Sequence, residues 1–253
     1  MEELSKNKQN LFASLSQVKM RRKHGLFIVE GKKGVIDSLN SFEAVAVVVA
    51  SPDDTDVEYM RRMAPDADFF RASVAQMKKI SDFSTPSGIL AVFRIPDAAN
   101  SLADVDENKL YVVLDGVRDP GNLGTIIRTC HWFGIFRIFA SHDTVDIYNP
   151  KTVQSTMGSI GKVRVDYCDL KELFETHPDM PVYGTLLNGE NIFKKQLSSA
   201  GFIVMGNEGK GISPRLREYV TRPLLIPPAC DDHAESLNVA VATAIVVAKF
   251  KAG

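Results

Sequence analysis

The feature that most constrains this chain is a series of short, continuous apolar runs in its second half, each followed by a polar loop or a helical pattern. They are Tyr111–Asp115 (YVVLD), Phe136–Ala140 (FRIFA), Val163–Tyr167 (VRVDY), Val182–Leu187 (VYGTLL), Phe202–Gly206 (FIVMG) and Arg222–Pro227 (RPLLIP). A strand wetted on one face alternates apolar and polar residues, whereas a run that is apolar throughout is covered on both faces. Such strands separated by helices predict an α/β domain with a mostly parallel sheet. Helices are expected near 123–133 and from Lys151 onward. The last segment, LNVAVATAIVVAKF, is apolar nearly all round and predicts a helix buried on more than one side.

The first half also alternates. Helices are expected at Ser5–Val18, Gly31–Asn40, Asp56–Met63 and Val74–Ser81, and strands at Leu26–Glu30, Ala44–Ala50, Ala67–Ala72 and Gly88–Ile95. This predicts a smaller α/β domain over residues 1–96. Residues 97–108 lose hydrophobic period and gain Asn and Asp, as a linker does, and a second domain spans 109–253.

Composition narrows the class. With 45% hydrophobic residues the chain can bury a large core, and no run approaches the roughly 20 apolar residues of a membrane helix. The start, MEELSKNKQN, has no apolar signal core, so a soluble cytoplasmic protein is expected. Cys130, Cys168 and Cys230 are odd in number and widely spaced, which speaks against a disulfide framework or a zinc ribbon. The net charge is only −1, but Lys6, Lys8, Lys19, Arg21, Arg22, Lys23, Lys32 and Lys33 crowd the first segment against Glu2, Glu3 and Glu30. Such a cluster suits a phosphate backbone or, equally, a solvated helix face.

In open α/β sheets ligands bind beyond the carboxyl ends of strands. Three segments there carry chemistry. In LDGVRDPGNLGTIIR the strand ends at Asp115, and a glycine-bearing loop leads into a helix with Asn122 and Arg128; a helical arginine offers a fork of donors suited to phosphate. In FIVMGNEGKGIS, Gly206, Gly209 and Gly211 surround Glu208, but Ile212 stands where a P-loop needs lysine. In LLIPPACDDHAESLNVAVATAI, Ser236 is placed to cap the final helix. Cys230, Asp232 and His233 lack a second ligand pair, and His233 with Ser236 lacks a nucleophile turn, so neither a metal site nor a hydrolase pair is expected.

Taken together, in this order and spacing, NLGTIIR, IVMGNEGKGIS and IPPACDDHAESLNVAVATAI resemble the three motifs of the SpoU/TrmH family of RNA ribose methyltransferases, within the SPOUT superfamily. SLSQVKMRRKHGLFIVEGKKGV and TPSGILAVF resemble the opening and closing signatures of the substrate-binding domain often fused to them, which is similar to an RNA-binding ribosomal-protein fold. The resemblance implies a deep trefoil knot in the second domain, a homodimer, S-adenosylmethionine as methyl donor, no metal, and methylation of a ribose 2′-hydroxyl. Ribosomal RNA is favoured as substrate; transfer RNA, base methylation and a non-catalytic RNA-binding or ribosome-assembly role are the alternatives. Residue by residue, it implies that Thr185, Leu187, Gly206, Gly211, Ile226 and Leu237 hold the cofactor. Arg128 is the catalytic arginine, with Asn122, Glu208, Ser236 and Asn238 in support. A guanidinium keeps its proton at neutral pH. Arg128 is therefore expected to bind the adjacent phosphate and stabilise the developing alkoxide, with Asn122 and Glu208 holding it in place.

Overall fold

The computed structural model describes residues 1–51, 55–97, 102 and 104–252. Its first elements are β1 (Glu2–Glu3), α1 (Lys6–Ser14), α2 (Val18–His24), β2 (Leu26–Glu30), α3 (Lys32–Leu39), β3 (Ala44–Val49), α4 (Thr55–Met63), β4 (Asp68–Arg71), α5 (Val74–Ile80) and β5 (Ile89–Arg94). They are followed by β6 (Leu110–Asp115), α6 (Pro120–Trp132), β7 (Arg137–Ala140), α7 (Pro150–Ser155), β8 (Arg164–Tyr167), α8 (Leu170–Thr176) and β9 (Val182–Asn191). The chain ends with β10 (Gly201–Gly206), α9 (Pro214–Arg217), β11 (Arg222–Leu225) and α10 (Val239–Ala252). Among the described residues no helix is long and apolar enough to cross a membrane. Of the expected linker, residues 98–101 and 103 lie outside the described ones.

The chain forms two compact units, Met1–Asp97 with Asp146–Lys162, and Ala98–Val145 with Val163–Gly253. In the first, the sheet runs β1-β4-β3-β5-β2, with β1, β4 and β3 parallel and β5 antiparallel to both of its neighbours. Val48, Phe70, Leu90 and Val92 fill its core together with Phe12 and Leu15 from the first helical segment. That segment is two helices rather than the expected single one. Ser14 and Ser16 donate back to the carbonyls of Leu11 and Ala13, an arrangement that competes with helix propagation. The carbonyls freed at the break, those of Leu15 and Ser16, both accept from Arg21 Nη1 at 2.8 Å.

Arg21 therefore leaves the set of candidate phosphate contacts. Its side chain is 2% exposed, and Nε and Nη2 donate to Asp146 Oδ2 at 3.0 and 2.7 Å. Lys8, Lys32 and Lys33 are paired with Asp68, Asp56 and Asp37. Lys6, Lys19, Arg22 and Lys23 stay exposed. Asp146 belongs to a stretch expected in the second domain that instead completes the first unit. The Tyr148 ring sits 4.6 Å from that of Phe27, and its burial, ahead of the nearby Asp146 charge, pushes the phenol up to about 12.

The second unit has an all-parallel sheet in the order β11-β9-β10-β6-β7-β8. Val113, Phe139, Phe202 and Val204 lie in its core, as continuous apolar runs require. Residues Val239, Ala240, Thr243, Val246, Val247 and Phe250 bury much of α10, which packs against α6, while Val241 stays half exposed. At the far edge Asp166, nearly buried, accepts from Arg137 Nε at 2.6 Å and Arg164 Nε at 2.7 Å.

Candidate active site

The strands β6 and β10 end level with each other, Asp115 opposite Gly206. Beyond Gly206 the chain folds back at once: Asn207 and Gly211 exchange two backbone hydrogen bonds of 3.0 and 2.8 Å, and the Asn207 Oδ1 accepts from the amides of Gly209 and Lys210. A Cβ on Gly206 would run into the Gly211 and Ile212 backbone, and Gly211 has φ +66°, so both positions call for glycine. Asn207 Nδ2 donates to the Gly116 carbonyl at 2.8 Å, and Asp115 Oδ2 accepts from the Ser213 amide at 2.6 Å. These two contacts pin the turn across the ends of both strands. Asn207 and Asp115 were not expected as site residues. The signal was present, since an asparagine beside a strand-end glycine is a typical side-chain-stabilised turn.

This turn presents the half-buried Glu208 to the first turn of α6. Asp119 caps that helix by accepting from the Asn122 amide at 2.8 Å. The Asn122 side chain is used at both ends: Nδ2 donates to Glu208 Oε1 at 3.1 Å, and Oδ1 accepts from Asn238 Nδ2 at 2.9 Å. Asn238 in turn caps α10, its Oδ1 accepting from the amides of Ala240 and Val241. The cap expected from Ser236 thus belongs to Asn238, because only the amide can cap the helix and reach Asn122 together. Ser236 is exposed. Arg128 is also exposed and makes no hydrogen bond or ion pair among the described residues. The structure therefore links Asn122, Glu208 and Asn238 and leaves Arg128 and Ser236 outside that network.

Of the expected cofactor residues, Gly211 and Leu237 lie in loops, whereas Thr185 and Leu187 lie in β9, Gly206 ends β10 and Ile226 follows β11, three adjacent strands. Their register breaks there. Gly184 pairs with Pro223 and Glu190 with Leu224, so residues 185–189 of β9 bulge out between two consecutive partners on β11. The β10 ladder on the other side stops at Gly184 as well. This leaves a stretch of backbone donors and acceptors without ladder partners, with Gly189 against the Leu224 backbone. Leu187 in this stretch is 89% exposed, and Leu237, before α10, is 49% exposed. Unpaired amides and carbonyls with apolar flanks and no basic cluster fit a ligand with an adenine and a methionine chain rather than a phosphate.

The pattern that defines the SpoU rRNA methylase family matches residues 109–248, which include every element of this site. The chain belongs to that family. The pattern of an MRM3-like substrate-binding domain matches residues 8–91. The 23S rRNA (guanosine(2553)-2′-O)-methyltransferase RlmP of Bacillus subtilis is 31% identical over 232 residues, 90% of each chain. A TrmH-family protein from Porphyromonas gingivalis has a solved structure that superposes with a TM-score of 0.84 at 33% identity, covering 98% of both chains. An rRNA methyltransferase from Sinorhizobium meliloti, solved with S-adenosylmethionine bound, gives 0.87 at 27% identity, covering 100% of this chain and 97% of the other.

Proposed function

We propose that this member of the SpoU rRNA methylase family transfers the methyl group of S-adenosylmethionine to a ribose 2′-hydroxyl of structured RNA, with ribosomal RNA as the substrate class. The observation that carries this reading is the hydrogen-bonded chain Asn238–Asn122–Glu208, which ties the heads of α10 and α6 to the turn after β10. Thr185, Leu187, Gly206, Gly211, Ile226 and Leu237 hold the cofactor. When bound, it supplies an electrophilic sulfonium methyl group.

The chain's own residues do the rest. Arg128, exposed and without a partner among the described residues, is available to an RNA phosphate, and its positive charge stabilises the oxyanion that grows on the attacking hydroxyl. Orienting that hydroxyl against the methyl group contributes much of the remaining acceleration. Asn122, Glu208 and Asn238 act as positioning residues that fix the loops, and Ser236 faces the substrate. The homodimer and the deep trefoil knot belong to the same reading. The first is supported by Trp132, Phe136 and Val241, large apolar side chains 85%, 60% and 50% exposed in the second unit. The second is supported by the Asn238–Asn122–Glu208 chain, through which α6 links the segment after β11 to the turn after β10. The reaction takes place in the cytoplasm.

Arg128→Ala tests the assignment. S-adenosylmethionine binding, followed by calorimetry, is retained while methyl transfer to ribosomal RNA is lost; near-normal turnover refutes the role given to Arg128. Mapping ribose methylation in ribosomal RNA with and without the protein then identifies the nucleotide, and an unchanged map counts against ribosomal RNA as substrate.

A further inference from the structure

The first unit contains a cleft of about 360 Å³ that the methyl-transfer site does not use. It lies among β2, the start of α3, the loop after α5 and the segment around α7, all within the first unit. Its size falls at the small end of the range for small-molecule sites. Its walls are largely apolar, with Phe83 half-buried and Met157 59% exposed. Met157 is also the one residue other than glycine with positive φ among the described residues, at 50°. An exposed apolar side chain held in left-handed backbone beside a cleft is a costly arrangement that a simple surface turn would avoid.

Of the polar groups that line the cleft, Lys32 and Lys33 are paired with Asp56 and Asp37, whereas Ser38 and Asp82 are unsatisfied among the described residues. Ser38, on α3, is 1% exposed and lines the cleft, and its hydroxyl has no hydrogen-bond partner among the described residues. A buried hydroxyl without a partner costs free energy unless something reaches it. Asp82 lines the same cleft, and its carboxylate likewise takes no hydrogen bond among the described residues. Loss of water in the cleft, followed by the neighbouring Glu30 charge and against the pull of Arg21, holds its carboxyl above the usual aspartate range. Glu30 is not available in the same way, since it accepts from the Ser81 hydroxyl at 2.7 Å and the Ser87 amide at 3.1 Å.

We infer that this cleft receives a single unstacked guanine base of the RNA substrate, held at its edge by the Asp82 carboxylate and the Ser38 hydroxyl between apolar walls that include Phe83 and Met157. The inference rests on RNA being the substrate. Unpaired RNA bases are commonly recognised by stacking on side chains together with hydrogen bonds to their Watson–Crick edge. An ionised carboxylate only accepts. Guanine presents two neighbouring donors on that edge, its ring N1–H and its 2-amino group, which match the two carboxylate oxygens. Adenine and cytosine set one amino donor beside an acceptor nitrogen, and uracil sets one N–H between two carbonyls, so each turns an acceptor toward Asp82. A phosphate is disfavoured by the Asp82 and Glu30 carboxylates, since the lysines that line the cleft, Lys32 and Lys33, are already paired with Asp56 and Asp37.

The test uses the full chain and short fluorescent oligouridines with a single central guanine or adenine, followed by fluorescence anisotropy. The guanine oligonucleotide binds about tenfold tighter, the scale of one good bidentate contact, and free guanosine competes while inorganic phosphate does not. Asp82→Asn, at an exposed position, removes the preference. Met157→Gly, which relaxes the backbone while removing a wall, weakens binding of the guanine oligonucleotide without lowering Tm. Equal affinity for the two oligonucleotides, an unchanged preference in Asp82→Asn, or competition by phosphate alone overturns the inference. Calorimetric titration of the same samples with S-adenosylmethionine separates the two readings, because failure there counts against methyl transfer and leaves the cleft unaffected.

Discussion

Replacing Arg21 by methionine removes the group that joins the N-terminal helices to a segment 125 positions away. The guanidinium makes four hydrogen bonds, two to Asp146 and two to the carbonyls of Leu15 and Ser16. Truncation strands the Asp146 carboxylate, whose side chain is only 23% exposed, and leaves both carbonyls without this donor. Breaking one side of a buried ion pair costs about 3–5 kcal/mol, and Arg21, at 2% exposure, is deep enough for that range to apply. For a unit of this size the loss corresponds to a fall in Tm of roughly 10–20 °C. Arg21→Lys restores little, because one ammonium cannot span the carboxylate and both carbonyls as the planar fork does. The double variant Arg21→Met/Asp146→Leu recovers much of the loss, since the uncompensated charge is gone. The assay is denaturant unfolding of the wild type, both single variants and the double variant, analysed as a cycle. A cost below about 1 kcal/mol for Arg21→Met, the value of a surface pair, or a double variant no more stable than Arg21→Met, refutes the reasoning.

Other consequences can be measured separately. Asn122→Asp turns the donor facing Glu208 into a second carboxylate; loss of one charge-assisted hydrogen bond, worth about 1.5–3 kcal/mol, lowers methyl transfer about tenfold or more in a radiolabel-transfer assay, and unaltered turnover contradicts the positioning role. Gly206→Ala forces the turn after β10 away from the strand end at a cost of about 1–3 kcal/mol, and S-adenosylmethionine affinity measured by calorimetry falls with it. Iodoacetamide labels the exposed Cys230 first in peptide mass spectrometry. Cys168, whose thiol burial and then Asp166 push up to about 12, and the fully buried Cys130 react only after unfolding. Asp82 has a raised folded pKa, so the native state binds the extra proton between the ordinary aspartate value and the raised one. Its contribution to stability is complete below that window and is lost as pH rises through it, and Asp82→Asn flattens this part of the Tm–pH curve.

The strands were legible because a doubly covered strand is apolar throughout: FIVMG appears as β10 and YVVLD as β6, each shifted by one residue at its start. α8 and α9 escaped notice because seven and four residues are too short to establish a helical period. The extension of β9 to Asn191 was hidden because residues 188–191 (NGEN) break the apolar run that marks a doubly covered strand. Asn122, Glu208 and Asn238 are separated by 86 and 116 positions, and no local rule brings them together; the family resemblance marked them without showing which touched which. For the same reason Arg21 read as one basic residue among eight, since its burial depends on Asp146 far along the chain. The α10 cap went to Asn238 because helix-capping preference ranks serine and asparagine alike, and the choice is made by a second contact outside the helix.

That the first unit is completed by Asp146–Lys162 has a consequence for synthesis. A domain that ended near residue 97 could close as soon as it left the ribosome, as N-terminal domains generally do. Here Arg21 and Phe27 wait for Asp146 and Tyr148, by which time β6, α6 and β7 have already emerged. The two units therefore mature in an interleaved order, and neither can be cut free at a single peptide bond. A nascent chain released just before Asp146 leaves Arg21 uncompensated and the base-sized cleft without the wall that α7 provides.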